Sequence, residues 1–209
     1  MTALPAVLIP LGAAGVIATL VSGSSKKTIT RADLVNPVIG SDLATPLRAE
    51  SEEDFILNAW DAVGGQIQYE QVGSHLQFNE SSDTISCERC QVPKQTMARK
   101  KGNCVAKASV LASMLRSQME ADRVYMVIGD LDYNGIGGHA WVEVERNGSW
   151  YVLESTKRPG PQPWLLADGA RNIYIPYAFF NDQALPYCEG EDLCVAMGCP
   201  CLDKRRFVF

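Results

Sequence analysis

The chain contains only two histidines, His75 and His139. Neither lies in a metal-motif spacing, so a zinc-dependent hydrolase has too few ligands here. A basic excess is also missing: 19 Lys+Arg stand against 24 Asp+Glu, a formal net charge of −5. Proteins whose main work is wrapping nucleic acid carry the opposite balance, so nucleic acid is not an expected partner. No charged side chain precedes Lys26, and a cleaved signal peptide would need a positive segment ahead of its apolar run. No internal repeat is visible. What the chain does have is 209 residues at 46% hydrophobic and 21% charged. That is enough apolar material for one globular domain with extensions, and too much for generic disorder.

The apolar run from Ala3 to Val21 (ALPAVLIPLGAAGVIATLV) is about as long as a helix needs to be to cross roughly 30 Å of hydrocarbon. Residues 1–25 therefore read as a membrane anchor or as a hydrophobic arm buried in an assembly. Lys26 and Lys27 directly after the run leave the main domain on the cytoplasmic side of a membrane. A transmembrane helix, a membrane or hydrophobic partner through residues 3–21, and membrane association or a place in a larger particle are the expectations. Residues 26–50 have no sustained period and read as a connector. A domain is expected over 51–186, opening with Ser51 as a helix cap ahead of Glu52, Glu53 and Asp54 and a helix that Gly64-Gly65 ends. Residues 187–209 form a cysteine-rich tail.

The chemistry concentrates at Lys100-Lys101-Gly102-Asn103-Cys104. After it, Val105, Ala108, Leu111, Ala112, Leu115 and Met119 recur at helical spacing, which predicts an amphipathic helix with Cys104 in its first turn. Unpaired N–H groups at that end favour a thiolate, and Lys100, Lys101 and Lys107 add positive potential. Gly102 lets the chain turn closely into the helix.

A strand candidate, Arg123 to Gly129, leads to a hairpin signalled by Asn147-Gly148 between two alternating runs. With those two residues in the loop, Arg146 faces Ser149, and counting back sets Trp141 opposite Glu154. His139, Trp141 and Glu154 then share one face of the ribbon, while Ala140, Val142, Val144, Tyr151 and Leu153 share the other. His139 and Glu154 become diagonal neighbours at roughly 7–8 Å, close enough for a side chain to bridge. An imidazole that takes a thiol proton, oriented by a carboxylate, is what a cysteine nucleophile requires. Cys104, His139 and Glu154 are the candidate catalytic residues. The Cys104 N–H and a second donor, for which Gln95 is a candidate, would hold the oxyanion. Trp141 would shield the ion pair, line the substrate site or simply pack.

The segments PKQTMARKKGNCVAKASVLASMLR, RVYMVIG and GGHAWVEVERNGSWYVLEST resemble the transglutaminase-like cysteine peptidase superfamily. Its members open a helix with Gly-x-Cys, then carry His-Ala-Trp on one strand and a carboxylate on the next. The resemblance spans Pro93 to Thr156 and implies Cys104 as nucleophile, His139 as base and Glu154 as third member. It departs from the pattern at Glu154-Ser155, where Asp-Pro is commoner. The fold implied is α+β with a papain-like core, the cysteine helix packed on an antiparallel sheet.

The expected reaction is thiol-dependent hydrolysis of a peptide or amide bond through a thioester, with no cofactor required for catalysis. An amine in place of water would make the protein a cross-linker. The other class of reading is a non-catalytic structural or membrane-associated component that retains the fold. The six remaining cysteines, Cys87, Cys90, Cys188, Cys194, Cys199 and Cys201, are compatible with disulfides, with a structural zinc site using Cys87-x-x-Cys90 plus two tail cysteines, or with free thiols.

Overall fold

A computed structural model of the chain describes residues 26–72, 75–79, 84–132, 137–156, 164–183 and 207–208. From the N-terminal side they form β1 (Lys27–Thr30), α1 (Arg31–Leu34), α2 (Pro37–Ala44), α3 (Glu52–Gln66), β2 (Gln68–Tyr69), β3 (His75–Asn79) and β4 (Thr84–Glu88). These are followed by α4 (Pro93–Arg99), β5 (Lys101–Gly102), α5 (Cys104–Arg116), β6 (Val124–Leu131), β7 (Gly138–Arg146) and β8 (Ser149–Leu153). Last come β9 (Leu165–Leu166), α6 (Ala167–Ala170), β10 (Tyr174–Phe180) and β11 (Phe207–Val208).

The framework is a five-stranded antiparallel sheet in the order β10-β6-β7-β8-β9. Strand alternation sends Met126, Ile128, Ala140, Val142, Val144 and Leu153 to one face, where they join the apolar residues of α5. Tyr125, Val127, Trp141, Val152 and Phe179 go to the other, with Ala167 and Ala170 of α6. Helices packed on antiparallel strands make this an α+β fold, consistent with a papain- or transglutaminase-like core. Strands β1, β4, β3 and β11 form a second sheet, and β2 pairs with β5 in parallel.

The β7–β8 hairpin has the expected register: Arg146 pairs with Ser149 and Val142 with Leu153. Asn147 and Gly148 both take positive φ, 52° and 76°, as a two-residue type I′ turn requires. Ser51 caps α3 through its side chain, which accepts from the Asp54 N–H at 3.1 Å. The helix does not end at Gly64-Gly65 but runs to Gln66, closed by the Ile67 N–H on the Val63 carbonyl.

The expected connector is built differently. Residues 27–44 hold β1, α1 and α2, with Thr30 and Asp33 in a capping box and Asn36 accepting from the Ile39 N–H at 3.0 Å. These pieces cover α5, and that changes the helix's character. Every residue from Cys104 to Arg116 is buried, so α5 is a central helix rather than one with a solvent face. Its serines and Arg116 find partners inside the protein. Ser109 donates to the Leu34 carbonyl, Ser113 accepts the Asn36 N–H at 2.9 Å, and Arg116 pairs with Asp182 at 2.8 Å.

The expectation of a transmembrane helix is corrected. Among the described residues no helix is long and apolar enough to cross a membrane. The longest, α3, has 15 residues, about 22 Å at ~1.5 Å per residue against roughly 30 Å of hydrocarbon. Residues 1–25, where the anchor was expected, lie outside the described residues. The hydrophobic partner through residues 3–21 and the membrane-associated localisation were expected on the strength of that helix, and no helix among the described residues supplies it. Cys87 and Cys90 are joined by a disulfide. Cys188, Cys194, Cys199 and Cys201 lie outside the described residues, among which no group of three or more His, Cys, Asp and Glu could hold a metal ion.

Candidate active site

Cys104 is the first residue of α5. Asn103 caps the helix by accepting the Ala106 N–H at 3.0 Å and fixes its own side chain by donating to the Val72 carbonyl at 2.9 Å. The approach to the helix is tight: a Cβ on Gly102 would lie 2.7 Å from that of Ala106. Glycine is needed there to let β5 close onto the helix. The Cys104 N–H, in the first turn, has no intrahelical partner.

His139 is the second residue of β7, paired across from Gly129. Its Nε2 meets Glu154 Oε2 at 2.7 Å, and Cys104 is close enough to the ring to help raise its pKa. The structure thus brings Cys104, His139 and Glu154 together, all three buried. Burial pulls the imidazole pKa down, but the bonds to Cys104 and Glu154 and the negative charge of both outweigh it and raise it to about 10. Burial pushes Glu154 up, but the bond to His139, its charge and two bonds from Thr156 hold the carboxyl down at about 2.

Three residues around Glu154 went unread in the sequence. Thr156 donates both its N–H and its hydroxyl to Oε1, at 2.8 and 2.6 Å. Tyr174 donates to Oε2 at 3.1 Å, and burial, the Glu154 charge and this bond all keep its phenol protonated by raising its pKa. Trp60 of α3 donates its indole N–H to the Glu154 carbonyl at 2.8 Å. Thr156 had a local signal, two positions after the carboxylate. Tyr174 and Trp60 come from β10 and α3, and nothing in their neighbourhoods announces the contact.

Trp141 is fully buried and stacks on His139 with ring centroids 6.2 Å apart and planes 22° apart. Its indole donates to Glu143 Oε1 at 2.9 Å. Glu143 is itself fully buried and held by the Arg171 fork at 2.6 and 2.8 Å. Trp141 therefore walls the imidazole, and the Glu143–Arg171 pair fixes the wall. Gln95 is exposed on α4, as are Lys100 and Lys101 beyond it. Lys107 is buried and donates to the Ile67 carbonyl at 2.6 Å.

The family model described as the transglutaminase-like superfamily matches residues 42–155, which include all three site residues. Two solved structures of LapG from Legionella pneumophila resemble the fold. One has a TM-score of 0.50 at 13% identity, and the other, EGTA-treated, 0.52 at 12%. They cover 77% and 76% of this chain and 82% of theirs, and at such identity they speak for the fold alone. No curated protein matches the sequence.

Proposed function

The chain belongs to the transglutaminase-like superfamily, known for thiol-dependent hydrolysis and transfer, and on that footing we propose that it hydrolyses a peptide or amide bond through a Cys104–His139–Glu154 triad. The observation that carries this reading is the buried imidazole bonded at Nε2 to a buried carboxylate, at 2.7 Å, with the helix-borne Cys104 close enough to act on its pKa. In the proposed route the Cys104 sulfur, its proton held by His139, attacks the carbonyl carbon. The C=O electron pair moves to oxygen, and the Cys104 N–H stabilises the resulting oxyanion. The pair then returns, the C–N bond breaks, and His139 gives its proton to the leaving amine. Water, losing a proton to His139, attacks the thioester and releases the acid and the thiol. Glu154 keeps the ring oriented and compensates its charge throughout. The route runs on side chains and backbone alone.

The test combines a thiol-alkylating probe with product analysis. Stoichiometric labelling at Cys104 that falls strongly in His139→Ala, together with new amine termini or released ammonia from peptide substrates, supports the hydrolase. Labelling spread over several cysteines and insensitive to His139 supports a non-catalytic scaffold. Incorporation of a fluorescent primary amine in preference to hydrolysis supports a cross-linker.

A further inference from the structure

A cavity of about 300 Å³ lies between the end of α3, β2, Lys107 of α5 and Thr156, lined by Gln66, Ile67, Gln68 and Tyr69 among others. Two of its walls belong to the site. Thr156 holds the Glu154 carboxylate, and Tyr69 pairs across from Gly102, two residues before the cysteine. Lys107, one turn along α5 from Cys104, is the only charged residue in the lining among the described residues, and none of those lining residues is a carboxylate. Its side chain is 1% exposed, yet among the described residues its one hydrogen bond goes to a neutral carbonyl, that of Ile67. An ammonium group has three donors. Two are left unspent in a place where an unpaired charge is costly.

We propose that this cavity is a substrate subsite that takes a carboxylate side chain, aspartate or glutamate, with Lys107 as its charge partner and the Tyr69 hydroxyl as a second donor. The inference rests on the hydrolase reading for the word substrate, but the binding chemistry stands on the cavity. Glu154 acts on the lysine through its charge alone and makes no hydrogen bond to it, because its Oε atoms bond His139, Tyr174 and Thr156. An incoming carboxylate would supply the missing counter-charge. Burial lowers the Lys107 pKa while Glu154 raises it, and the net shift is downward. A lysine held in this way gains from a carboxylate arriving beside it. Burial raises the Tyr69 pKa, as do the charges of Cys104 and Glu154, which keeps its hydroxyl a donor.

The experiment separates this claim from catalysis. A random heptapeptide mixture is passed over immobilised Cys104→Ser protein, and the retained peptides are read by mass spectrometry. The same mixture is separately digested with the wild type. Retained peptides should be enriched in Asp or Glu by about tenfold or more, as expected for a charge-assisted contact. The same residues should fall within two positions of the cleaved bonds. Lys107→Gln, which keeps a donor for the Ile67 carbonyl but no charge, should reduce the enrichment to within about twofold. Tyr69→Phe, at a half-exposed position, should reduce it partway. Acidic enrichment without cleavage supports the subsite and sinks the hydrolase. Cleavage with no acidic preference, or enrichment of basic or apolar residues, overturns the subsite and leaves the hydrolase standing. Should Lys107→Gln fail to fold, the selection on Cys104→Ser protein decides alone.

Discussion

His139 Nε2 and Glu154 Oε2 meet at 2.7 Å across the open end of the β7–β8 hairpin, fifteen residues apart in the chain. The hairpin register makes the two side chains neighbours, and β10 then locks the carboxylate through Tyr174. A buried pair of this kind ties stability and chemistry to the same protons.

The first prediction concerns pH. The His139 pKa is raised from 6.5 to about 10, so the stability it contributes is complete below about 6.5 and is lost as pH climbs through about 10. The Glu154 pKa is lowered from 4.5 to about 2, so its contribution is complete above about 4.5 and is lost as pH falls through about 2. The wild type should exceed a His139→Ala/Glu154→Ala variant in unfolding free energy most between about pH 4.5 and 6.5. Urea titrations across the range check this, and a gap that stays constant from pH 6 to 10 would contradict it.

Glu154→Gln retains the side-chain shape but removes the charge that holds the imidazolium. Loss of the orienting carboxylate in such triads costs up to roughly 10⁴-fold, and a fall in kcat/KM of about 10³-fold or more is expected here. The pH dependence of Cys104 alkylation should change with it, because the histidine loses its main anionic partner. An unchanged alkylation profile would remove Glu154 from the proposed triad.

The Glu143–Arg171 pair is fully buried on the carboxylate side. Glu143→Gln removes the buried carboxylate charge that the Arg171 fork holds and should cost roughly 3–5 kcal/mol, whereas replacing both by Leu and Met should cost much less than the sum of the single changes. A double-mutant cycle in denaturant measures the coupling. Additive effects would mean that the pair does not act as a unit in holding Trp141.

Ser155 is buried, and among the described residues its hydroxyl has no hydrogen-bond partner. Removing a buried unsatisfied hydroxyl relieves its desolvation. Ser155→Ala should therefore be neutral or stabilise by about 1 kcal/mol, read as a rise in Tm with unchanged Cys104 labelling. A clear loss of stability would reveal a partner for that hydroxyl.

Local chemistry was enough to read much of this protein from its residues. Period-two alternation around Asn147-Gly148 assigned His139, Trp141 and Glu154 to one face, and a helical repeat after Asn103 put Cys104 in a first turn, because both signals act over a few residues. Packing decided the rest. The sequence makes α5 amphipathic and Lys107 a source of positive potential, whereas the acceptors of Lys107 and Ser109 on Ile67 and Leu34 become available only when α1 and α3 fold against α5. Tyr174 and Trp60 reach Glu154 from 20 and 94 residues away. Contacts across such separations depend on how layers stack, and no spacing along the chain encodes them.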